Sequence, residues 1–335
     1  MINEAINKLA EKQNLTGAET IGAFGEIMSG EATNAQIAAF ITAMRMKGET
    51  IEEITACAKV LREKCTHVYP GKDVLDIVGT GGDCANTFNI STTSSFVIAA
   101  AGVPVAKHGN RSVSSKSGAA DVLEELGVKI DLSAERNKEL LQEIDLCFLF
   151  AQAYHASMRF AGPVRKELGI RTVFNIIGPL ANPAFASLQL LGVYKKELVE
   201  PLAKVLANLG VKRGIVVYGN DGIDEVTVSS TNTIAEINDG EITTYTLDPQ
   251  AFGFTPCKKS DLMGGDAKIN AGITYDILSG KEQGAKRDAV VLNSGLSLYL
   301  GGKGSIKECI ELARITLDNG KALQKLQQLI VLSNG

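Results

Sequence analysis

The run Asp76-Ile77-Val78-Gly79-Thr80-Gly81-Gly82-Asp83 is a short apolar strand that ends in a glycine turn bearing a carboxylate. Lys107-His108-Gly109-Asn110-Arg111 repeats the arrangement at the end of a second apolar run, with a helical stretch between the two. Further short strands read at Leu146–Ala151, Leu188–Gly192, Ile215–Tyr218 and Thr227–Val228, beside Val74–Val78 and Val103–Ala106. Helical runs at Ser91–Ala101 and Ala119–Leu126 separate the first of them. Strands that alternate with helices imply a mainly parallel sheet flanked by helices, because a parallel return needs a crossover. Ligands of such sheets sit outside the carboxyl ends of the strands, where both glycine clusters fall.

Residues 1–70 read differently, as helices only. Thr16-x-x-Glu19, Thr33-x-x-Gln36 and Thr50-x-x-Glu53 are three successive capping boxes. In each, the hydroxyl accepts from the third helical amide and the Glu or Gln reaches back to the cap amide. Apolar residues then follow at helical spacing, as in Ile37, Phe40, Ile41, Met44 and in Ile51, Ile54, Ala58, Leu61. The pattern breaks at Tyr69-Pro70-Gly71-Lys72. The expected fold is therefore α/β, with a small all-helical domain over 1–70 and a large α/β domain over 71–335. Small apolar residues on the first helices make that domain a candidate homodimer surface.

A chain of 335 residues is long enough for one large and one smaller unit. Its net charge of -4 supplies no basic field, which argues against nucleic-acid binding. Cys57, Cys65, Cys84, Cys147, Cys257 and Cys309 form no CxxC pair and read as free thiols of a reducing compartment. The Met1-Ile-Asn-Glu-Ala start reads as an acidic amphipathic helix and not a signal peptide. The apolar run Phe96–Ala106 is too short to span a bilayer. A cytoplasmic protein without a membrane partner is the expectation.

The chemistry lies in four clusters. The first, Gly79 to Asp83, is neither a Walker A loop nor a dinucleotide GxGxxG, and alone could be a tight structural turn. Its sequel, Asn89-Ile90-Ser91-Thr92-Thr93-Ser94-Ser95, places five hydroxyls at a helix start, where side-chain oxygens and free amides can converge on an anion. One N-cap would account for a single hydroxyl. The second, Lys107 to Ser115, combines a point charge, a glycine that permits close backbone approach, and Ser112, Ser114 and Ser115 before the next helix. His108 lies between lysine and glycine and is a candidate for substrate contact, whereas His67 and His155 read as structural. The third is Asp224-Glu225, a solvated turn or a pair of hard oxygen ligands that suit magnesium bridged to substrate phosphates. The fourth is a helical, proline-bearing connector over 160–183 that passes back over the site. Its Arg165 can offer a planar fork to a carboxylate. Together these clusters describe a site for a phosphorylated, and by expectation diphosphorylated, small molecule.

With those residues in place, the chain resembles the anthranilate phosphoribosyltransferases along essentially its whole length. GTGGD at 79–83, NIST at 89–92, KHGNRSVSS at 107–115, GAADVLEELG at 118–127 and RKELGIRTVFNIIGPLANP at 165–183 carry the likeness, with DEVT at 224–227 and NAG at 270–272. Pyrimidine nucleoside phosphorylases share the first three motifs. The GIRTVFNIIGPLANP block is more selective for the anthranilate branch, as is the lack of the extra C-terminal domain those phosphorylases carry.

The resemblance implies transfer of phosphoribose from 5-phosphoribosyl 1-diphosphate to the amine of anthranilate, in tryptophan biosynthesis, with Mg2+ (two ions with the diphosphate). It assigns the diphosphate substrate to Gly79, Gly82, Asp83, Thr87, Asn89, Ile90, Ser91, Thr92, Lys107, His108, Gly109, Asn110, Arg111, Ser112, Val113, Ser114 and Ser115. Ser91, Asp224 and Glu225 match magnesium ligands, and Gly79, Asn110 and Arg165 match anthranilate contacts. No residue stands out as a general base, with His108 the only candidate. Ala119 stands where many relatives carry a serine, a loss worth only about 0.5–1.5 kcal/mol. The 160–183 segment is expected to pack with the helical domain, making that domain discontinuous. The alternatives are a pyrimidine nucleoside phosphorylase and a non-catalytic nucleic-acid-binding relative.

Overall fold

The computed structural model describes residues 1–112 and 116–335, so Val113, Ser114 and Ser115 of the second cluster lie outside the described residues. Four helices open the chain: α1 (Ile2–Ala10), α2 (Gly17–Ser29), α3 (Asn34–Lys47) and α4 (Ile51–Glu63). The three expected capping boxes close as read, at Thr16 with Glu19, Thr33 with Gln36 and Thr50 with Glu53. Glu53 also ties the bundle together. Its buried carboxylate receives the Leu15 amide at 2.9 Å, the Thr50 amide at 2.8 Å and the Lys47 ammonium at 2.8 Å. Those bonds offset the desolvation that an isolated buried carboxylate would suffer.

The rest of the chain alternates strand and helix. Its elements are β1 (Leu75–Gly79), α5 (Ile90–Ala100), β2 (Val105–Gly109), α6 (Ala119–Glu125), α7 (Ala134–Ile144), β3 (Leu146–Phe150), α8 (Ala151–Tyr154), α9 (Met158–Leu168), α10 (Phe174–Ile177), β4 (Leu188–Gly192), α11 (Val199–Asn208) and β5 (Arg213–Gly219). After these come β6 (Asn232–Asn238), β7 (Glu241–Leu247), α12 (Ala267–Leu278), α13 (Ala285–Leu300), α14 (Ile306–Asp318) and α15 (Lys321–Asn334). The sheet order is β3-β2-β1-β4-β5-β6-β7, parallel from β3 to β5 and antiparallel at β6 and β7. The expected mainly parallel α/β fold with a helical bundle is borne out.

One strand expectation fails. Thr227–Val228 is loop, because the Thr227 amide and carbonyl are both taken by the Asn232 side chain at 2.8 and 2.9 Å and have no ladder to join. The strands of that region are β6 and β7, joined by Asp239-Gly240 with φ of +46° and +89°. Positive φ at both central residues is the hairpin turn that matches strand twist.

Period-two alternation splits the core into two layers. Ile215, Val217 and Ile234 face one layer, with α5, α13, α14 and α15. Val216, Ala235 and Ile237 face the other, which they share with α11, the α1–α4 bundle, and Ala161, Val164 and Phe174 of α9 and α10. Among the described residues no helix is long and apolar enough to cross a membrane.

Candidate active site

The carboxyl ends of β1, β2, β4 and β5 meet over one rim. Gly79 of β1 pairs with Gly192 of β4, and both make room for the loop that follows β5. A Cβ on Gly79 would lie 2.5 Å from Asp224 Oδ2, and one on Gly192 would lie 1.6 Å from the Asp224 carbonyl oxygen. Asp224 therefore packs directly on the two strand ends. Its Oδ2 accepts from the Gly81 amide at 2.6 Å, and its own amide donates to Asp83 Oδ2 at 3.3 Å. Glu225 Oε1 accepts from the Ser91 amide, at the start of α5, at 3.3 Å.

Three carboxylates thus crowd the turn. Burial, with Asp83 and Glu225 alongside, holds the Asp224 carboxyl well above the usual carboxylate range. Burial raises Glu225 to about 7 even though Lys107 and the Ser91 amide pull the other way. Like charges raise one another when no cation lies between them, so this donor set fits a divalent ion with hard oxygen preference. Among the described residues no three His, Cys, Asp or Glu side chains close into a cage. Magnesium keeps waters and takes one or two carboxylates together with substrate phosphates.

Lys107 is buried, its Nζ donating to the Ile77 carbonyl at 2.5 Å and to Ser91 Oγ at 3.1 Å. Burial lowers its pKa, and Asp76 and Glu225 oppose that shift. Asp76, buried within β1, accepts from the His108 amide at 3.1 Å, and burial raises it to about 6. Thr92 Oγ1 is a buried hydroxyl without a protein partner among the described residues, in the first turn of α5. Thr87 bridges Met263, and Asn89 caps the start of α5 by position only. Gly82, with a positive φ, offers its carbonyl to Arg171 of the connector, whose guanidinium lies 4.4 Å over the Tyr194 ring.

Beyond β2 the chain is more open. Asn110 is exposed and accepts from Gln152 Nε2 at 3.3 Å. Arg111 points away to Asp121 at 3.0 Å and to Glu124 at 2.9 Å. The Ser112 amide donates to Asp121 at 3.0 Å. Ala119 opens α6, its Cβ 3.1 Å from where a Cβ on Gly109 would be. Arg165 lies on α9 with its guanidinium 4.9 Å over the Phe174 ring. Burial lowers its pKa, with no acidic neighbour among the described residues to oppose it.

His108 is buried, its ring 5.1 Å from that of His155, which is buried as well. Burial, His155 and Lys107 drive the His108 pKa well below its ordinary value, leaving a neutral imidazole of low basicity. Sequence reasoning quoted Asp76, Asn182 and Asn270 within its motifs but gave none of them a role. Asn182 holds the β2 carbonyl of Ala106 at 2.8 Å, and Asn270 bonds Asn89 at 2.9 Å. For Asp76 a signal existed, a carboxylate inside an apolar strand.

The chain matches the sequence profiles of a glycosyl transferase family, its helical bundle domain over residues 3–65 and its a/b domain over 71–323. It is 60% identical over 335 residues to the anthranilate phosphoribosyltransferase of Ruminiclostridium cellulolyticum, covering 100% of this chain and 98% of the relative. The crystal structure of the Thermus thermophilus anthranilate phosphoribosyltransferase superposes with a TM-score of 0.94 at 39% identity, covering 99% of each chain. The Saccharomyces cerevisiae enzyme in complex with PRPP and Mg superposes at 0.91 with 29% identity, covering 99% of this chain and 98% of that one. The chain belongs to the anthranilate phosphoribosyltransferase family.

Proposed function

We propose that the rim formed by Gly79–Asp83, Asn89–Thr92, Lys107–Ser112 and Asp224-Glu225 holds phosphoribosyl diphosphate, and that Arg165, Asn110 and Gly79 receive anthranilate. The protein is an anthranilate phosphoribosyltransferase of tryptophan biosynthesis and uses Mg2+. It moves phosphoribose from the diphosphate donor to the anthranilate amine. The observation that carries the site assignment is the meeting of Asp83, Asp224 and Glu225 at the glycine turn beside the N-terminus of α5. Acidic side chains that suit a cation and a helix N-terminus that suits an anion meet at one spot, and a magnesium diphosphate uses both.

In the reaction, the bond from the anomeric carbon to the diphosphate breaks and its electron pair leaves with the diphosphate. The amine nitrogen bonds to that carbon and gives up a proton. Asp224, Glu225 and Ser91 would hold magnesium, which would supply neutralisation of the charge on the leaving diphosphate. Amides at the start of α5 and in the glycine turn hydrogen-bond the diphosphate oxygens as their charge grows, favouring the transition state over the ground state. Lys107 is fixed by Ile77 and Ser91 and keeps a positive field beneath them. Arg165 and Asn110 orient the acceptor, which is neutral at its amine and needs placement more than deprotonation. His108 is too weakly basic to serve as a strong general base and instead lines the pocket with His155.

The bundle with the 160–183 segment forms the smaller domain in this reading, since Ala161, Val164 and Phe174 share the core of α1–α4. The protein is cytoplasmic and a homodimer through that bundle, where Ile21, Met46 and Ile170 are exposed. Sedimentation equilibrium tests the dimer, a monomer at micromolar concentration removing it. For the activity, anthranilate fluorescence is followed with phosphoribosyl diphosphate and magnesium, with and without a chelator. Loss of fluorescence that the chelator abolishes supports the reading. Phosphorolysis of thymidine in its place would favour a nucleoside phosphorylase.

A further inference from the structure

We propose that Asn270 is a positioning residue for the donor site. It fixes the Asn89 amide so that its NH2, and not its oxygen, faces the phosphoribosyl diphosphate. The inference rests on the donor-site reading of Asn89 given above.

Asn270 is buried in the first turn of α12. Its Oδ1 accepts from the Gly265 amide at 2.8 Å, and its Nδ2 donates to Asn89 Oδ1 at 2.9 Å. A backbone N–H can only donate, so the Gly265 bond fixes which end of the Asn270 amide is oxygen. The NH2 end then faces Asn89, which must answer with its own oxygen. The Asn89 NH2 donates one hydrogen to the Ser117 carbonyl at 3.4 Å, and its second hydrogen remains for the site.

The same bond explains an oddity of α5. Asn89 stands at the N-cap, a position asparagine favours because its oxygen accepts from the second or third helical amide. Here the side chain makes no cap bond. Asn270 draws the capping oxygen away, and the Glu225 carboxylate takes the Ser91 amide in its place. Asn270 cannot easily retreat. Thr87 bridges Met263, Phe88 donates to Leu262 at 3.1 Å, and Gly264 donates to Asn86 at 2.9 Å. A Cβ on Gly264 would come within 2.3 Å of Asn270 Oδ1 and 2.7 Å of Phe88 Cα, so the two segments are in direct backbone contact.

The orientation decides the sign of the interaction. An amide NH2 attracts a polyanion and an amide oxygen repels it. Asn270→Asp keeps the size and the acceptor for Gly265 but removes the donor, so Asn89 turns over to donate and shows its oxygen to the substrate.

The test is a double-mutant cycle with Asn89→Ala, read by Michaelis constants and by calorimetric titration with phosphoribosyl diphosphate and magnesium. Asn270→Asp should weaken donor binding about tenfold, the loss of a hydrogen bond to a charged group, and leave the anthranilate constant within about twofold. In the Asn89→Ala background the same substitution should change donor affinity by less than about twofold. Asn270→Ala, which frees Asn89 without inverting it, should cost about threefold and likewise vanish in that background. A loss that persists without the Asn89 side chain comes from charge or fold and overturns the inference. Normal donor affinity in both Asn270 variants, when Asn89→Ala weakens it, overturns the inference alone. Normal donor affinity in Asn89→Ala overturns the donor-site reading of Asn89 and the inference with it.

Discussion

Asp224 accepts from the Gly81 amide at 2.6 Å across the end of β4, so a carboxylate from the loop after β5 and the turn after β1 form one unit. The crossing is possible only because the intervening strand ends in Gly192. There a Cβ would sit 1.6 Å from the Asp224 carbonyl oxygen, a backbone atom that cannot rotate aside. Gly192→Ala should therefore cost about 3 kcal/mol or more in stability and displace the carboxylate pair. Gly81 is different. It has open space around its missing side chain and a φ of +70°, so Gly81→Ala should cost only about 1–2 kcal/mol of backbone strain. Urea unfolding of the two variants checks the order, and equal costs would refute the steric account.

The carboxylate pair is expected to act through the metal. Asp224→Asn combined with Glu225→Gln removes two carboxyls that burial holds above the usual carboxylate range, so the apo fold should be at least as stable as before. Turnover should fall by more than about a hundredfold, and half-maximal rate should need more than about tenfold more magnesium, as befits the loss of two hard ligands. A magnesium titration of the initial rate, with circular dichroism as the fold check, decides it. Unchanged magnesium dependence would return the pair to an ordinary turn.

Much of this was legible locally. The capping boxes of α2 to α4 need only residues three apart, and GTGGD with NIST shows a strand, a turn and a helix start within one short stretch. The β6–β7 hairpin was not, because β7 is polar along most of its length and its apolar alternation is faint. The one local sign was Asp239-Gly240, a dipeptide suited to positive φ. Asn270 and Asn182 escaped for another reason. Each acts on a residue far away in sequence, Asn89 and Ala106, and nothing local to an asparagine records what it will meet. That His155 packs against His108 is likewise invisible in the sequence, where the two lie 47 residues apart.

His155 should make the protein acid-sensitive. Burial lowers its pKa from 6.5 to about 4, so the folded state holds the neutral ring and the unfolded state protonates first. For a lowered base, the stabilisation is complete above the unfolded pKa and is lost as pH falls through the folded one. The window is thus pH 6.5 to about 4. A shift of this size corresponds to about 3 kcal/mol. His155→Gln should flatten the fall of melting temperature in that window relative to the unsubstituted protein. An equally steep fall in the variant would place the acid sensitivity in other groups.

Arg165 separates the acceptor from the donor. Its guanidinium lies on the Phe174 ring, half-buried, with no carboxylate among the described residues to answer its charge. A planar fork beside an aromatic face is suited to an aromatic acid, whose carboxylate can take two parallel hydrogen bonds. Arg165→Ala should raise the Michaelis constant for anthranilate by roughly ten- to a hundredfold, the worth of a lost charge-assisted contact at about 1.5–3 kcal/mol. The constant for phosphoribosyl diphosphate should stay within about twofold, since a residue outside the donor site changes little there. Arg165→Lys keeps the charge and loses the fork, so it should recover only part of the affinity. Steady-state kinetics with each substrate varied in turn gives both constants. A variant that loses donor affinity and keeps normal anthranilate affinity would move the acceptor pocket elsewhere.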